Sequence, residues 1–479
     1  MRGSFRLAAC GARMAAAAAL ALVPLSVAAQ DANVAVKKYD SGGVYEGEFK
    51  DGKQHGHGSF TLPGGYEYEG EWVDGRIEGQ GRVKYENGSV YEGEFKDGAP
   101  HGKGKIVYAD GGSYDGEWIG GVIQGTGVAV YADGARYEGE FKNSAHDGRG
   151  VMTRPNGYRY EGQWTDGSPD GEGSVAYSDG SAYKGAFKAG VREGVGEIRM
   201  PDGFVYSGEW RDGQISGKGE ATYANGDVYV GYFVDGEREG EGEATYANGD
   251  VYKGAFKAGK RHGSGTLTAA NGDVYEGDWV DGRFEGNGVA RLADGRVLEG
   301  AFVNNAISGV GKMTTPDGGV YEGGWVDGRI EGVGEFHYAT GAVYKGEFKA
   351  GEISGKGAIT YPDGYEYEGE WADGRPHGIG VARFPDGGVY EGEFVGGRRM
   401  GAGKFTQTDG FSYDGQWVDD RMEGPGVATY PNGDVYKGVF KDNRRHGAGA
   451  MTFANGAVYE GEWVDGQRGA EKPAPAPAD

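Results

Sequence analysis

Cysteine is almost absent from this chain, and proline is scarce beside glycine. The single cysteine, Cys10, cannot form an intramolecular disulfide, which excludes a small scaffold stapled by disulfides. The 100 glycines do not recur at every third residue and stand beside only 15 prolines, which excludes collagen. Aromatic residues make up 13% of the chain, a content that disordered glycine-rich segments lack. The composition therefore predicts a folded protein.

An excess of positive charge is also lacking. The 73 Asp and Glu residues outnumber the 49 Lys and Arg residues, and the formal net charge is -24. A surface of this sign repels nucleic acid and anionic lipid, so we expect no nucleic-acid partner and at most weak membrane association. Motifs for phosphate cradling or for a serine nucleophile are missing as well, and we expect no cofactor and no enzyme activity.

A long apolar run occurs only near the N-terminus. Arg2, Arg6 and Arg13 precede an alanine-rich apolar stretch that ends in Val27-Ala28-Ala29. A basic start, a short apolar core and small residues before the cleavage point are typical of a secretory signal. We therefore predict a signal peptide over residues 1–29 and an exported protein, most simply in the periplasm of a Gram-negative bacterium. A lipoprotein box around Cys10 is disfavoured, because the apolar run follows the cysteine instead of preceding it.

The rest of the chain repeats itself every 23 residues. Counting from Tyr45, each step of 23 meets a tyrosine as far as Tyr459, with the single exception of Leu298. We number positions within a repeat from this tyrosine. Positions 3, 12, 14 and 21 are glycine in every complete repeat, position 16 is apolar, and position 5 is Phe or Trp. All nine tryptophans stand at position 5: Trp72, Trp118, Trp164, Trp210, Trp279, Trp325, Trp371, Trp417 and Trp463.

Each repeat is predicted to be one β-hairpin. Apolar and polar residues alternate through segments such as 273–280 and 219–223, which indicates strands with an aromatic face and a charged, outward face. Pairs such as Asn87-Gly88 and Asn225-Gly226 predict tight type I′ turns, and segments such as 74–79 predict the longer connection. A lone hairpin is marginal in water, so the hairpins are expected to stack and bury their aromatic faces together. We also expect the glycine at position 3 to make room for a ring from the next strand.

The phrase YEGEFKDGKQHGHG, residues 45–58, closely resembles the MORN repeat, and it recurs through nearly the whole chain after residue 44. The resemblance implies an all-β fold: an elongated, single-layer antiparallel sheet of tandem 23-residue hairpins. It also implies roles in scaffolding, protein partnership or membrane association. We divide the chain into the signal peptide, a lead-in strand at 30–44, the array at 45–470 and a disordered Pro/Ala tail at 471–479.

Two sets of side chains invite a chemical interpretation. Carboxylate pairs such as Glu46 and Glu48 recur with the repeat, and no copy is distinguished, so we interpret them as a solvated strand face instead of an acid–base pair. His55, His101, His262, His377 and His446 all occupy position 11, but equivalent positions on successive hairpins are about 10 Å apart, too far to share a zinc ion. We therefore predict no catalytic and no metal site.

One irregularity favours a partner site. Phe and Trp alternate at position 5 until Phe233 is followed by Phe256, where GEATYANGDVY also occurs twice in succession. In that repeat the outward acidic pair is replaced by Val230 and Tyr232, and Ala186 and Ala255 lie at outward positions nearby. We predict a partner patch of these four residues, for an unknown protein or for a second copy in a homodimer. The function expected is a non-enzymatic scaffold in the cell envelope; lipid binding and polysaccharide binding remain alternatives.

Overall fold

The computed structural model describes residues 34–469, and all regular structure in that range is β-strand joined by turns. The predicted signal peptide and the predicted tail lie outside the described residues. None of the described segments forms a helix long and apolar enough to cross a membrane. The chain divides into a first unit, residues 1–247, and a second unit, residues 248–479.

The described part of the first unit, residues 34–247, contains nineteen strands: β1 (Val34–Lys38), β2 (Val44–Lys50), β3 (Lys53–Thr61), β4 (Glu67–Val73), β5 (Arg76–Lys84), β6 (Val90–Lys96), β7 (Ala99–Val107), β8 (Ser113–Ile119), β9 (Val122–Val130), β10 (Arg136–Lys142), β11 (Ala145–Thr153), β12 (Arg159–Thr165), β13 (Ser168–Ala176), β14 (Ala182–Lys188), β15 (Val191–Arg199), β16 (Val205–Arg211), β17 (Gln214–Thr222), β18 (Val228–Val234) and β19 (Glu237–Thr245).

In the second unit, residues 248–469 are described and contain twenty strands: β20 (Val251–Lys257), β21 (Lys260–Thr268), β22 (Val274–Val280), β23 (Arg283–Arg291), β24 (Val297–Val303), β25 (Ala306–Thr314), β26 (Val320–Val326), β27 (Arg329–His337), β28 (Val343–Lys349), β29 (Glu352–Thr360), β30 (Glu366–Ala372), β31 (Arg375–Arg383), β32 (Val389–Val395), β33 (Arg398–Thr406), β34 (Ser412–Val418), β35 (Arg421–Thr429), β36 (Val435–Lys441), β37 (Arg444–Thr452), β38 (Val458–Val464) and β39 (Gln467–Arg468).

Within each unit, strands that follow one another in sequence pair antiparallel, so the predicted all-β fold of tandem hairpins is confirmed. Each complete repeat contributes a seven-residue strand and a nine-residue strand, such as β2 and β3. In the first hairpin Tyr45 lies opposite Phe60, and Phe60 lies opposite Tyr68 of the next repeat. Ahead of this array, β1 pairs with β2 and covers its outer edge.

The two connections of the hairpin are the reverse of the sequence prediction. The tight turn is the two-residue Asp74-Gly75 pair, with φ of 47° and 89°, the signature of type I′. Asn87-Gly88 instead lies in a five-residue loop between β5 and β6, where Gly88 has a positive φ and Asn87 does not. The Asn87 side chain stabilises this loop, because its Oδ1 accepts a hydrogen bond from the Ser89 N–H at 3.0 Å.

Within each unit the core is a zigzag of aromatic rings. Tyr45 is fully buried and meets Phe49 of its own strand at 5.0 Å and Trp72 of the next repeat at 5.2 Å, both edge to face. Its hydroxyl donates to the Glu48 carbonyl at 2.8 Å, and the Trp72 indole donates to the Gly58 carbonyl at 3.1 Å. All nine tryptophans are buried, at 1–6% exposure, and eight of them donate to the carbonyl of a position-14 glycine.

Glycine at position 3 makes room for a ring, but not for the ring expected. Gly47 lies directly opposite Gly58, and a side chain at either residue would collide with the ring or hydroxyl of Tyr45. Tyr45 belongs to the same strand as Gly47, two residues earlier, so the predicted ring from the next strand is wrong. The tyrosine lies back over a glycine pair within its own hairpin, which explains why positions 3 and 14 are both glycine.

The zigzag is interrupted once, at Leu298. This residue has no ring to bridge Phe302 and Trp325 and no hydroxyl to bond the carbonyl of Ala301. Trp325 is also the one tryptophan in the described residues whose buried indole nitrogen has no hydrogen-bond partner. Leu298 therefore marks a local defect in the packing of the second unit.

Candidate interaction surface

The outward face carries the recurring carboxylate pairs, and the second member of each pair has a structural role. In the β6–β7 and β10–β11 hairpins the strand register shifts at a bulge between positions 3 and 5, and the N–H of position 13 meets the position-4 side chain there. Glu94 accepts that N–H from Lys103 at 3.1 Å, and Glu140 accepts it from Arg149 at 2.9 Å. This repeated bond accounts for the acidic residue at position 4 without any catalytic role.

The position-11 histidines lie at the other end of the hairpin, beside the tight turn of the next repeat. The N–H of Asp74 donates to His55 Nδ1 at 3.4 Å. In the following repeat the N–H of Asp97 donates to the Glu78 carboxylate at 2.9 Å, whereas the Nδ1 atoms of His262 and His446 are buried without a hydrogen-bond partner. In residues 34–469 no three His, Cys, Asp or Glu side chains converge as a metal site.

The structure places Val230 and Tyr232 side by side on the outward face of β18. Their exposed fractions are 51% and 44%, and Val234 on the same face is exposed by 51%. Val234, at position 6, is not among the four residues of the predicted patch. Its neighbours are charged: the Lys218 ammonium lies 5.1 Å from the Tyr232 ring, and Glu220 and Glu243 lie opposite Val230.

The two alanines of the predicted patch do not extend this column. Ala186 lies two repeats before Tyr232, and Glu209 occupies the equivalent position between them. Ala186 and Ala255 are each half-buried, and Ala255 belongs to the second unit. We call the run of Val230, Tyr232 and Val234 the β18 column.

The side chains at position 10 pack on the aromatic face, a role that the sequence did not reveal. Several repeats place an arginine there, and its guanidinium stacks on the tryptophan of the next repeat: Arg192 on Trp210 at 4.2 Å and Arg399 on Trp417 at 4.3 Å. The side chain also bonds the next tight turn, as Arg192 does with the Gly213 carbonyl at 2.8 Å. The residue at this position varies between repeats, so periodicity gave no signal for it.

The same position holds a buried histidine in one repeat. His146 stacks on Tyr137 at 3.7 Å, and its Nε2 lies 2.7 Å from the Tyr131 hydroxyl, while its Nδ1 is buried without a partner. Burial lowers the pKa of His146 to about 4, so the ring is neutral at neutral pH. Burial likewise raises the pKa of Tyr45 to about 12, which keeps this core hydroxyl protonated as a donor.

These features define a tandem β-hairpin repeat protein, with a ring-filled face inside each hairpin and a charged face outside it. The MORN repeat model matches the chain nineteen times, and the chain belongs to that family. The matched residues are 45–65, 68–90, 91–113, 114–136, 137–157, 160–182, 183–205, 206–228, 229–251, 252–274, 275–295, 299–320, 321–343, 344–364, 367–389, 390–411, 413–435, 436–458 and 459–469. Proteins of this family are generally non-enzymatic repeat scaffolds.

A sequence search of curated proteins gives no match. Among solved structures, the chain is similar to the TCP domain of SAS-4 from Drosophila melanogaster in complex with a proline-rich motif of Ana2, with 12% identity, 41% of this chain and 88% of that chain covered, and a TM-score of 0.20. It is also similar to a catalytically inactive virginiamycin B lyase from Staphylococcus aureus, with 9% identity, coverages of 58% and 90%, and a TM-score of 0.12. Similarity this low carries no argument about function.

Proposed function

We propose that this protein is a non-enzymatic scaffold that presents its outward face to a protein partner in the cell envelope. The observation that carries the proposal is the β18 column. At positions 2 and 4, where most other repeats bear carboxylates, it exposes Val230 and Tyr232 within a rim of charged side chains. An aromatic anchor surrounded by polar groups is the arrangement that concentrates binding energy in protein interfaces.

The size of the column limits how a partner binds. Three side chains bury far less than the roughly 800 Å² per partner that a stable interface needs. The partner must therefore also contact neighbouring outward rows, where Lys218, Glu220 and Glu243 supply charge. The column is the anchor, and the surrounding charges select the partner and its orientation.

The test replaces the column with residues that other repeats use. Val230→Ser and Tyr232→Gln follow Ser207 and Gln163 at the equivalent positions, so the fold is kept. The new glutamine side chain also supplies the acceptor that Gln163 gives to the Glu172 N–H at 3.1 Å. Glutamate is avoided because it would face Glu220 and Glu243.

The double variant is expected to lose the envelope proteins that the parent chain captures, or to lose a homodimer seen as a doubled mass in light scattering. The control is Val310→Ser with Ile379→Ser, which removes two exposed apolar side chains elsewhere, at 81% and 60% exposure, without a change of charge. If the captured proteins and the mass are unchanged in both variants, the β18 column is not the anchor.

Export is a second part of the proposal, and it rests on residues 1–29. Arg2, Arg6 and Arg13 before an apolar stretch, and Ala29 at its end, support secretion with cleavage before Gln30. Mass spectrometry of protein from a periplasmic fraction should then find a chain beginning at Gln30. A chain in the cytosolic fraction that retains Met1 would contradict export.

A further inference from the structure

Seven of the five-residue loops carry the dipeptide Asn-Gly at positions 20 and 21, where it is exposed to solvent. The asparagines are Asn87, Asn156, Asn225, Asn248, Asn271, Asn432 and Asn455. Asparagine loses its amide most readily before glycine, because glycine has no side chain to hinder attack of its backbone nitrogen on the asparagine Cγ. The surroundings of each loop therefore decide which of these asparagines react.

Two hydrogen bonds are common to reactive and protected loops and do not separate them. The glycine N–H donates to the carbonyl of position 18, and the asparagine Oδ1 accepts the N–H of position 22. These distances are 2.9 Å and 3.1 Å in the Asn225 loop, 3.1 Å and 3.0 Å in the Asn156 loop, and 2.8 Å and 3.0 Å in the Asn455 loop.

Four of the seven loops add a carboxylate at position 22 that holds the amide nitrogen. Asn225 Nδ2 donates to Asp227 Oδ2 at 3.0 Å. The same bond is 2.9 Å long in three other loops, those of Asn248, Asn271 and Asn432. The other oxygen of the carboxylate is fixed by the next repeat, as Asp227 Oδ1 is by the Ala247 N–H at 2.8 Å. An anchored carboxylate therefore clamps the amide in these loops.

This carboxylate opposes the loss of the amide in two ways. The asparagine Cγ must turn towards the glycine nitrogen, which breaks a hydrogen bond to a charged group. The glycine nitrogen must also lose its proton before it attacks, and a neighbouring negative charge disfavours that step. Hydrogen bonds from the Ala270 N–H and from Asn248 hold the pKa of Asp250 below its usual value, so this carboxylate is ionised at neutral pH.

We propose that Asn156 and Asn455 are the sites at which this protein deamidates, and that the four loops with aspartate at position 22 are protected. Tyr158 and Ala457 stand at that position in the two reactive loops and offer no carboxylate. The Asn87 loop has a serine there and is assigned to neither group.

The reaction needs only water. The glycine nitrogen gives its proton to hydroxide and bonds to the asparagine Cγ, the amide C–N bond breaks, and ammonia leaves with a proton from water. Water then opens the resulting succinimide. Cleavage between Cγ and the glycine nitrogen gives aspartate, and cleavage at the main-chain carbonyl gives isoaspartate. Asp110 occupies position 20 natively and accepts the Gly112 N–H at 2.9 Å, so the aspartate product fits the loop.

The experiment follows each Asn-Gly site by peptide mass spectrometry while the full chain is kept at mildly alkaline pH. Asn156 and Asn455 should convert about tenfold faster than the four clamped sites, because only the clamped sites must break a bond to a carboxylate. In concentrated urea the rates should become similar. Equal rates in the folded chain overturn the proposal, as does a difference that persists in urea. Fast conversion of Asn455 alone also overturns it.

Two exchanged residues test the carboxylate itself. Asp434→Ala, which follows Ala135 at position 22, should raise the rate at Asn432 about tenfold, while Asn271 stays slow as the internal control. Ala457→Asp supplies the missing carboxylate and should slow Asn455. This second variant removes no hydrogen bond, so it tests the clamp even if Asp434→Ala loosens its loop. An unchanged rate at Asn455 in Ala457→Asp overturns the role of the carboxylate.

Discussion

At the scale of single residues, the leading tyrosine does more than its hydrophobicity suggests. Its ring fills the space above a glycine pair, and its hydroxyl satisfies a carbonyl three residues later, as in the 2.8 Å bond of Tyr91 to Glu94. The pairing of a ring with a hydroxyl explains why phenylalanine does not occur at position 1, although position 5 accepts it in many repeats.

Leu298 offers a direct measure of that contribution. Leu298→Tyr should stabilise the second unit by about 1 kcal/mol from the hydroxyl bond to Ala301, with a further gain from ring contacts to Phe302 and Trp325. Cδ1 of Ile307 lies over Gly300 and Gly311, so it must turn aside for the larger ring; the first unit shows such an arrangement, because Ile123 pairs with Trp118 and leaves the space over the glycine pair to Tyr114. Thermal unfolding of Leu298→Tyr and Leu298→Phe separates ring from hydroxyl. A melting temperature below that of the parent in both variants would show that the site has adapted to leucine.

His146 should make the first unit sensitive to mild acid. Its folded pKa of about 4 lies below the usual value of about 6.5, so the unfolded chain binds the proton more readily. The free energy of unfolding is therefore highest above about pH 6.5, where His146 is neutral in both states. It falls as the pH falls towards 4, by about 2 kcal/mol at pH 5.

The measurement is hydrogen exchange of the β11 amides at pH 7.5 and pH 5, corrected for the intrinsic exchange rates. His146→Ile, which follows Ile123 at the same position, should remove most of the pH dependence while exposed carboxylates still titrate in both proteins. Equal pH dependence in the two proteins would show that His146 is not the responsible group.

At the scale of the hairpin, the strands and their stacking could be predicted from the sequence because period two and period 23 are both visible in it. The turns could not be assigned correctly, since Asp74-Gly75 and Asn87-Gly88 are both Asx-Gly pairs. They differ in backbone context: the first pair alone joins the strands, whereas the second lies within a loop closed by a bond from the Tyr85 N–H to the Ser89 carbonyl at 2.8 Å. Position 10 was missed because packing there accepts arginine, isoleucine, proline or histidine alike.

The glycine pair of the hairpin can be tested within one repeat. Gly104→Ala at position 14 would place a methyl group inside the ring of Tyr91, which is fully buried, and should destabilise the protein by about 1–3 kcal/mol. Gly112→Ala at position 22 is the control, since Ala135 holds the same position natively. Urea unfolding should separate the two variants. Similar midpoints would mean that Tyr91 moves aside at little energetic cost.

At the scale of the whole molecule, the described strands of each unit contact mainly the strands next to them in sequence, so damage should not spread far. Trp279 is 1% exposed, bonds the Gly265 carbonyl at 3.0 Å and carries the Arg261 guanidinium at 4.3 Å. Trp279→Ala should cost about 3–5 kcal/mol in local packing. Hydrogen exchange should rise in the repeats around it and stay unchanged in the first unit. Faster exchange throughout the chain would contradict nearest-neighbour stability.

The order of strand pairing also has a mechanical consequence. Every interstrand hydrogen bond in a hairpin lies across the strands, so tension along the stacking direction loads one strand pair at a time instead of a whole sheet in shear. Each repeat that yields would release 23 residues, or roughly 70 Å of additional length. Under tension the protein would therefore lengthen in equal steps at low force, and each released hairpin could zip back onto its neighbour when the load falls.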